Sequence, residues 1–387
     1  MAVQYIRASI ADYDDVIDLG NYVFSAAHVP HDFPRLLPKQ YRREYFMEGI
    51  HYLAREDGRI KAVVGAYPLT LNILGEKLSG RGVGMVGVHP YARSRGYMKV
   101  LMGMLLEDLR KDGLVFSCLS GQRQRYEYFG YAPAGTRVIF KCQADNVRHT
   151  LGKDFSPGFS LRQVTAEDRE ILDGIAAFHE SKIARIERPR GKLFPILLSW
   201  KSSIYALMEG GALAGYIVKK GGDNEISEIN LKDPSRMAEA IGLFLNRPEA
   251  AGNRVDVSVQ PHETAKLEAL SRFAENCLVT SACSFNVLDW PRFLAPLLDL
   301  RAQITALSAG STVFKIGDGE SLRVAVTGGR PSLVPVGTAP DISLNPLEAV
   351  GFFFSPMTPA TTPSIRENPF LRSLLPLPLF FEGADAV

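Results

Sequence analysis

The residues of this sequence with the most chemical potential lie between positions 82 and 131. Gly82 to Val88 (GVGMVGV) is a glycine-studded apolar run that reads as a strand, and His89-Pro90-Tyr91-Ala92 follows it. Arg93-Ser94-Arg95-Gly96-Tyr97-Met98 then leads into a helix expected to reach about Asp112, with Met98, Leu101, Met102, Leu105 and Leu109 at helical spacing. A strand that runs through a basic, glycine-containing turn into a helix N-terminus is an anion cradle. Its backbone N–H groups and the positive end of the helix dipole can hold a pyrophosphate, to which Arg93 and Arg95 add charge. Glycine at 96 lets a ligand approach the backbone closely. The competing reading is a solvated basic turn, the commoner fate of such segments. Downstream, Val115 to Leu119 reads as another strand, and Ser120-Gly121-Gln122-Arg123-Gln124-Arg125 leads to Tyr126-Glu127-Tyr128-Phe129-Gly130-Tyr131. Tyrosines after a strand end are either proton donors or core aromatics. For Tyr128 and Tyr131 the packing reading is preferred.

The elements that must position these groups are organised as a repeat. Ile6 to Asp18 aligns without a gap with Leu161 to Asp173, an offset of 155 residues. Each copy reads as a strand running into a helix, with Ser9 or Thr165 available to cap the helix and acids in its first turn. The match stands at the start of two segments of similar size, which points to duplication of one domain. The connection between the copies is expected near Asn146 to Gly158, where Gly152, Pro157 and Gly158 interrupt the pattern. A third part begins near Asn286 to Trp290, after the strand-like run Leu278 to Phe285. It contains a candidate hairpin, Thr312 to Ile316 and Leu322 to Thr327, connected through Gly317-Asp318-Gly319. From Pro331 onward it carries ten of the 24 prolines, which predicts extended, loop-rich structure packed on something else. The expected units are residues 1–150, 159–285 and 286–387.

Composition narrows the function classes. At 387 residues the chain is too long for one ordinary core, and 46% hydrophobic against 22% charged residues is a soluble globular balance. A net charge of +2, from 44 basic and 42 acidic residues, argues against a nucleic-acid partner. The acidic start MAVQYIRASIADYDD is unlike a signal peptide. The apolar run Phe370 to Phe381 is shorter than the roughly 20 residues a membrane span needs, and Arg372, Pro376 and Pro378 interrupt it. Cys118, Cys142, Cys277 and Cys283 are scattered without CxxC spacing, which reads as reduced thiols in a cytoplasmic protein. The histidines form no convincing metal motif, so no metal is expected.

Taken together, Val86-x-Val88-x-Pro90-x-x-Arg93-x-x-Gly96 and the helix after it resemble the coenzyme-A motif of the GNAT acetyltransferases, with Met98 where glycine or alanine is usual. Tyr126-x-x-Phe129-Gly130-Tyr131 is similar to the ending found in the enhanced-intracellular-survival (Eis) branch of that family, and the resemblance extends over the whole chain. It implies an α/β (α+β) protein with tandem GNAT domains, the second degenerate, and a C-terminal sterol-carrier-protein-like α+β domain. It further implies an N-acetyltransferase that uses acetyl-CoA as co-substrate and forms a homo-oligomer, a hexamer by analogy. By that resemblance Val86, Gly87 and Val88 pair with the acetyl and pantetheine groups. Ser94, Arg95, Gly96, Tyr97, Met98 and Lys99 hold the pyrophosphate with Arg93, and Ser120 lies at the end of the neighbouring strand. Tyr126 matches the general acid, and the terminal carboxylate, here that of Val387, matches the base. In the second copy, Glu228 to Leu231 leads through Lys232-Asp233-Pro234-Ser235 into a helix without Arg-x-x-Gly, and Asp233 would repel a pyrophosphate.

The expected acceptor is a primary amine, of an aminoglycoside-like molecule, a polyamine or a lysine side chain, with Asp32, Glu382 and Asp385 as candidate acids around it. Long-chain acyl or aminoacyl transfer, and lipid carriage with a vestigial N-terminal domain, are the alternatives.

Overall fold

A computed structural model describes residues 3–153, 155–247 and 251–387 of the chain. Its frame is two mixed β-sheets of the same design. In the first, Gln4–Arg7, His51–Glu56, Arg59–Ile73 and Glu76–Val88 run antiparallel to one another in that order. Phe116–Leu119 lies parallel to Glu76–Val88, and Cys283–Val287 and then Ala132–Ala134 complete the sheet. Ala184–Ile186 pairs on the flank of Arg59–Ile73. The second sheet repeats this order: Ser160–Gln163, Ser203–Glu209, Ala212–Lys219, Glu225–Leu231, the parallel Arg254–Val259, then Arg137–Gln143 and Asn276–Thr280.

The sixth strand of each sheet comes from the other half of the chain. Ala132–Ala134 and Arg137–Gln143 form one path that crosses from the first sheet to the second, and Asn276–Thr280 with Cys283–Val287 runs back antiparallel to it. Arg137–Gln143 and Cys283–Val287 therefore lie across the boundaries expected at 150 and 285. Apolar alternation identifies a strand but carries no record of which sheet it joins. At the crossing, Gly135 has φ 76° and a side chain there would meet the Leu379 carbonyl, so the position requires glycine.

The duplication is visible in the caps. The Ser9 amide donates to Asp12 and the Thr165 amide to Asp168, both at 2.8 Å. Ala8 N–H donates to the His51 carbonyl as Val164 N–H does to Ile204. These equivalences are 156 residues apart, so the sequence match at 155 stands one residue out of register. The connection expected at 146–158 begins instead as a helix, Ala144–Leu151, that packs on Met237–Leu245 and ends at Gly152 with φ 86°. Asp154 within that stretch lies outside the described residues.

The remaining chain forms a four-stranded sheet in the order Arg330–Val336, Ser321–Thr327, Gly310–Ile316, Ile342–Leu344, including the expected hairpin with Phe314 opposite Leu322. Its prolines do not make extended loops alone. Pro346, Pro359, Pro363 and Pro369 open four short helices, where a missing N–H costs nothing and the fixed φ suits the first turn. One core joins this unit to the first sheet: Phe293, Phe353, Phe354, Leu371 and Leu379 pack with Leu71, Phe116 and Phe285. The last apolar run is anchored in it, with Phe381 edge-on to Phe285 at 5.9 Å. Among the described residues no helix is long and apolar enough to cross a membrane, and no cluster could hold a metal ion.

Candidate active site

The first sheet opens where its parallel strands part. Glu76–Val88 and Phe116–Leu119 pair at Gly80–Phe116, Arg81–Ser117 and Gly82–Cys118, and the longer strand then continues unpaired on that side to Val88. Along this stretch lies a bulge: between Val63–Gly87 and Gly65–Gly84, Met85 and Val86 oppose the single residue Val64, and Met85 takes φ 50°. The left-handed backbone of a methionine is strained, and the bulge locally interrupts the ladder beside the opening.

Beyond Val88 the chain turns through Pro90–Ala92 to Gly96, which precedes the helix Tyr97–Lys111 with φ 78°. Ser94 is also left-handed, at φ 63°. Such reversals point successive amides into one concavity. The first backbone bond of the helix is Val100 N–H to the Gly96 carbonyl, so the amides of Ser94 to Lys99 have no backbone partner among the described residues. Leu101, Met102, Leu105 and Leu109 hold the helix to the sheet, with Tyr97 buried at its start. Arg93, Ser94, Arg95 and Gly96 are exposed, and a side chain at 96 would meet open space. Arg95 is bound to Glu56 at 2.8 and 3.0 Å, whereas Arg93 has no ion pair among the described residues. Lys99 sits over the Tyr128 ring at 5.0 Å, and Met98 is half-buried. Unpaired amides, a dipole end and a free guanidinium fit the diphosphate of a coenzyme-A thioester, and the parted strands fit its pantetheine arm.

The groups on either side of the opening differ by face. Tyr126 is buried with Val83, Leu119 and Tyr131 on the face covered by Tyr97–Lys111. Burial raises its phenol, against the pull of Arg125, so it carries its proton at neutral pH. Tyr131 is fully buried and bound to Ser117 at 2.6 Å, and Tyr128 is exposed. Their packing roles thus differ from one another.

Val387 packs on the other face, against the cluster of Tyr41, Tyr67 and Met85. A methyl group at Gly84 would lie 3.4 Å from the Val387 carboxyl carbon, and one at Gly82 would collide with its side chain at 2.7 and 2.8 Å. The terminal carboxylate has no ion-pair partner among the described residues. Val387 lines a cavity of about 270 Å³ together with Ser120, Trp200, Phe381, Glu382 and Asp385. The internal candidates for a base are occupied elsewhere: Glu127 pairs with Arg123, and His89 accepts from Tyr91 N–H at 3.3 Å and stacks on Tyr22.

The acids expected around the acceptor are placed differently. Asp32 is an exposed helix cap that accepts from the Arg35 amide at 3.3 Å. Asp385 is held by Arg188 at 2.8 and 2.9 Å, and Glu382 by Lys182 and by Gln260 at 2.6 Å. Both are largely buried with their charges on the chain's own cations, and both still line the cavity that Val387 lines. Lys39 secures the tail from the first unit, donating to the Ala384 and Ala386 carbonyls at 2.5 and 2.6 Å. Burial lowers its ammonium to about 7, against the field of Asp385. Under Val387, His51 Nε2 meets the Tyr67 hydroxyl at 2.9 Å, and burial lowers the imidazole to about 4, leaving it neutral. Lys39, His51, Tyr67 and Arg188 carry no local motif. Trp200 is one of only two tryptophans, the one signal composition offers for this wall of the cavity.

Residues 4–134 match the acetyltransferase (GNAT) domain family. No curated protein matches the chain. Among solved structures, a GCN5-related N-acetyltransferase from Kribbella flavida is 17% identical with a TM-score of 0.65, over 98% of this chain and 99% of that one. A probable N-acyltransferase from Enterococcus faecalis is 14% identical with a TM-score of 0.69, over 100% of each chain. Eis1 from Mycobacterium abscessus is 14% identical with a TM-score of 0.66, again over 100% of each chain. At these identities the likeness is one of fold, and it spans the tandem arrangement from end to end.

Proposed function

We propose that this chain, whose residues 4–134 match the acetyltransferase (GNAT) domain family, is an acyltransferase that moves an acetyl group from acetyl-CoA directly to a primary amine, of a small molecule or a lysine side chain. The observation that carries this reading is the unpaired Val387 carboxylate beside Gly84, within the parted strands.

In this reading the diphosphate rests on the amides of Ser94 to Lys99 beside Arg93, and the thioester reaches the opening along Val86 to Val88. A neutral amine approaches from the face where Val387 lies. Its nitrogen attacks the carbonyl carbon, a C–N bond forms, and the C–S bond breaks. The Val387 carboxylate takes the proton from nitrogen, and the Tyr126 hydroxyl gives one to the departing thiolate, so an amide and a free thiol result. A terminal carboxyl has a pKa of about 3.5 when unperturbed and is ionised at neutral pH, so it arrives as an acceptor. Among the described residues the second unit shows no equivalent cradle. Asp233 accepts from the amide and hydroxyl of Ser235 at 3.0 and 2.6 Å, which occupies the corresponding turn with the chain's own carboxylate.

The test is an assay of acetyl-, longer acyl- and aminoacyl donors against aminoglycosides, polyamines and lysine peptides, with product mass and free thiol measured together. An acetylated amine with stoichiometric thiol release is expected. Thiol release independent of any amine, or product only from another donor, would contradict the proposal.

A further inference from the structure

The parting of parallel strands occurs twice in this chain. In the second sheet, Glu225–Leu231 and Arg254–Val259 pair at Glu225–Asp256 and Ile226–Val257 and then separate, as their counterparts do in the first sheet. The second opening holds charge. Glu228 is buried in it, bound by Arg188 at 3.0 and 3.3 Å, by Lys182 at 3.2 Å and by the Tyr216 hydroxyl. The short turn Gly383–Asp385 of the tail packs against Glu225–Leu231, with a methyl at Gly383 placed 3.8 Å from Ser227. From that turn Asp385 meets Arg188 in a two-point contact, and Glu382 meets Lys182 and Gln260. Two cations, Lys182 and Arg188, thus hold the carboxylates of Glu228, Glu382 and Asp385, and Lys39 holds the tail carbonyls of Ala384 and Ala386.

We propose that the opening of the second unit serves as a receptor for the chain's own C-terminus, with Arg188 as the positioning residue that sets where the Val387 carboxylate stands. The inference rests on the reading of that carboxylate as the base. Buried carboxylates are costly unless paired, so the tail is stable only in the register that brings Asp385 to Arg188 and Glu382 to Lys182. A planar guanidinium contacting one carboxylate with two nitrogens fixes orientation as well as distance. From Asp385 to Val387 there are two residues, a reach of at most about 7 Å. The clamp in the second unit therefore dictates the position of a reacting group in the first. Duplication supplies the opening, and the absence of a phosphate cradle there frees it for the tail.

The experiment uses the full chain with Asp385→Ala, with Arg188→Met, and with both. Carboxypeptidase release of Val387 is followed by mass, alongside kcat, KM and acetyl-CoA affinity by calorimetry. Arg188→Met leaves Glu228 without its main partner and can compromise folding. Asp385→Ala leaves Arg188 on Glu228 and keeps the test valid in that event. Terminal release at least tenfold faster than in the parent chain, kcat lowered at least tenfold and acetyl-CoA affinity unchanged are expected for each single variant. The double variant should be no worse than Arg188→Met alone, because that substitution already removes the contact Asp385 makes. Arg188→Lys should fall between parent and Arg188→Met. Unchanged release in Asp385→Ala would overturn the receptor. Faster release with unchanged kcat would leave the tail docked as described but overturn both Val387 as base and Arg188 as its positioning residue.

Discussion

A single methyl group at Gly82 should act on turnover through the far end of the chain. The Cβ of Gly82→Ala would stand 2.7 and 2.8 Å from the Val387 side chain and 3.2 Å from Leu69. Carbon atoms in contact prefer about 3.5–4.0 Å, so Val387 must retreat by about 1 Å. Misplacing a reacting group by about that distance costs roughly 10²-fold in rate. The overpacking energy gives a similar figure: about 1–3 kcal/mol, if relieved by displacing the tail, corresponds to roughly 5- to 150-fold. The cradle at Ser94 to Lys99 is untouched, so acetyl-CoA affinity should be unchanged. Val387→Gly removes the clashing isopropyl group and keeps a terminal carboxylate, at a loss of at most about 1.5 kcal/mol for a partly buried side chain. Combined with Gly82→Ala it should recover activity above either single variant. The assay is kcat at saturating donor and amine for the parent, both singles and the double, with acetyl-CoA affinity by calorimetry. Full activity in Gly82→Ala, or strictly additive losses in the double, would refute the placement of Val387 against this strand.

Three further outcomes follow from the same geometry. Gly96→Glu should abolish acetyl-CoA binding in calorimetry, because it puts a side chain and a negative charge before the unpaired amides and strains a left-handed position. Tyr126→Phe should lower kcat by about 10²–10⁴-fold with acetyl-CoA affinity nearly intact, while Tyr128→Phe, at an exposed ring, should be close to neutral. For Glu382, burial pushes the carboxyl up but Lys182 and Arg188 outweigh it and hold it down to about 2. A depressed carboxylate contributes stability above its unfolded value and loses it as pH falls through the folded one. The unfolding free energy should therefore drop between pH 4.5 and 2, by up to about 3 kcal/mol, and denaturant titrations of Glu382→Gln should show a flatter decline.

Local features of the site were legible in the sequence because they depend on neighbours along the chain. The strand before His89, the turn at Gly96 and the helix to Lys111 follow from glycine placement and apolar spacing. The repeat was legible for the same reason, although the cap bonds at Asp12 and Asp168 put its register at 156 and not 155. The exchange of Arg137–Gln143 and Cys283–Val287 was not, since an apolar strand satisfies either sheet equally. The cations that hold Glu382 and Asp385, Lys182 and Arg188, lie about two hundred residues away in sequence, so nothing local announces those pairings. Burial and long-range pairing, which decide whether a charge is free, leave no trace in local pattern.

The central claim is that the α-carboxylate of Val387 is the catalytic base, and a C-terminal extension by two alanines tests it most directly. The extension moves the carboxylate while leaving every residue of the chain in place, including the contacts of Asp385 with Arg188. Turnover should collapse while melting temperature and acetyl-CoA affinity hold, and an N-terminal extension of the same length should do no such harm. Full turnover in the C-terminally extended chain would contradict the account and return the proton to an internal residue or to water.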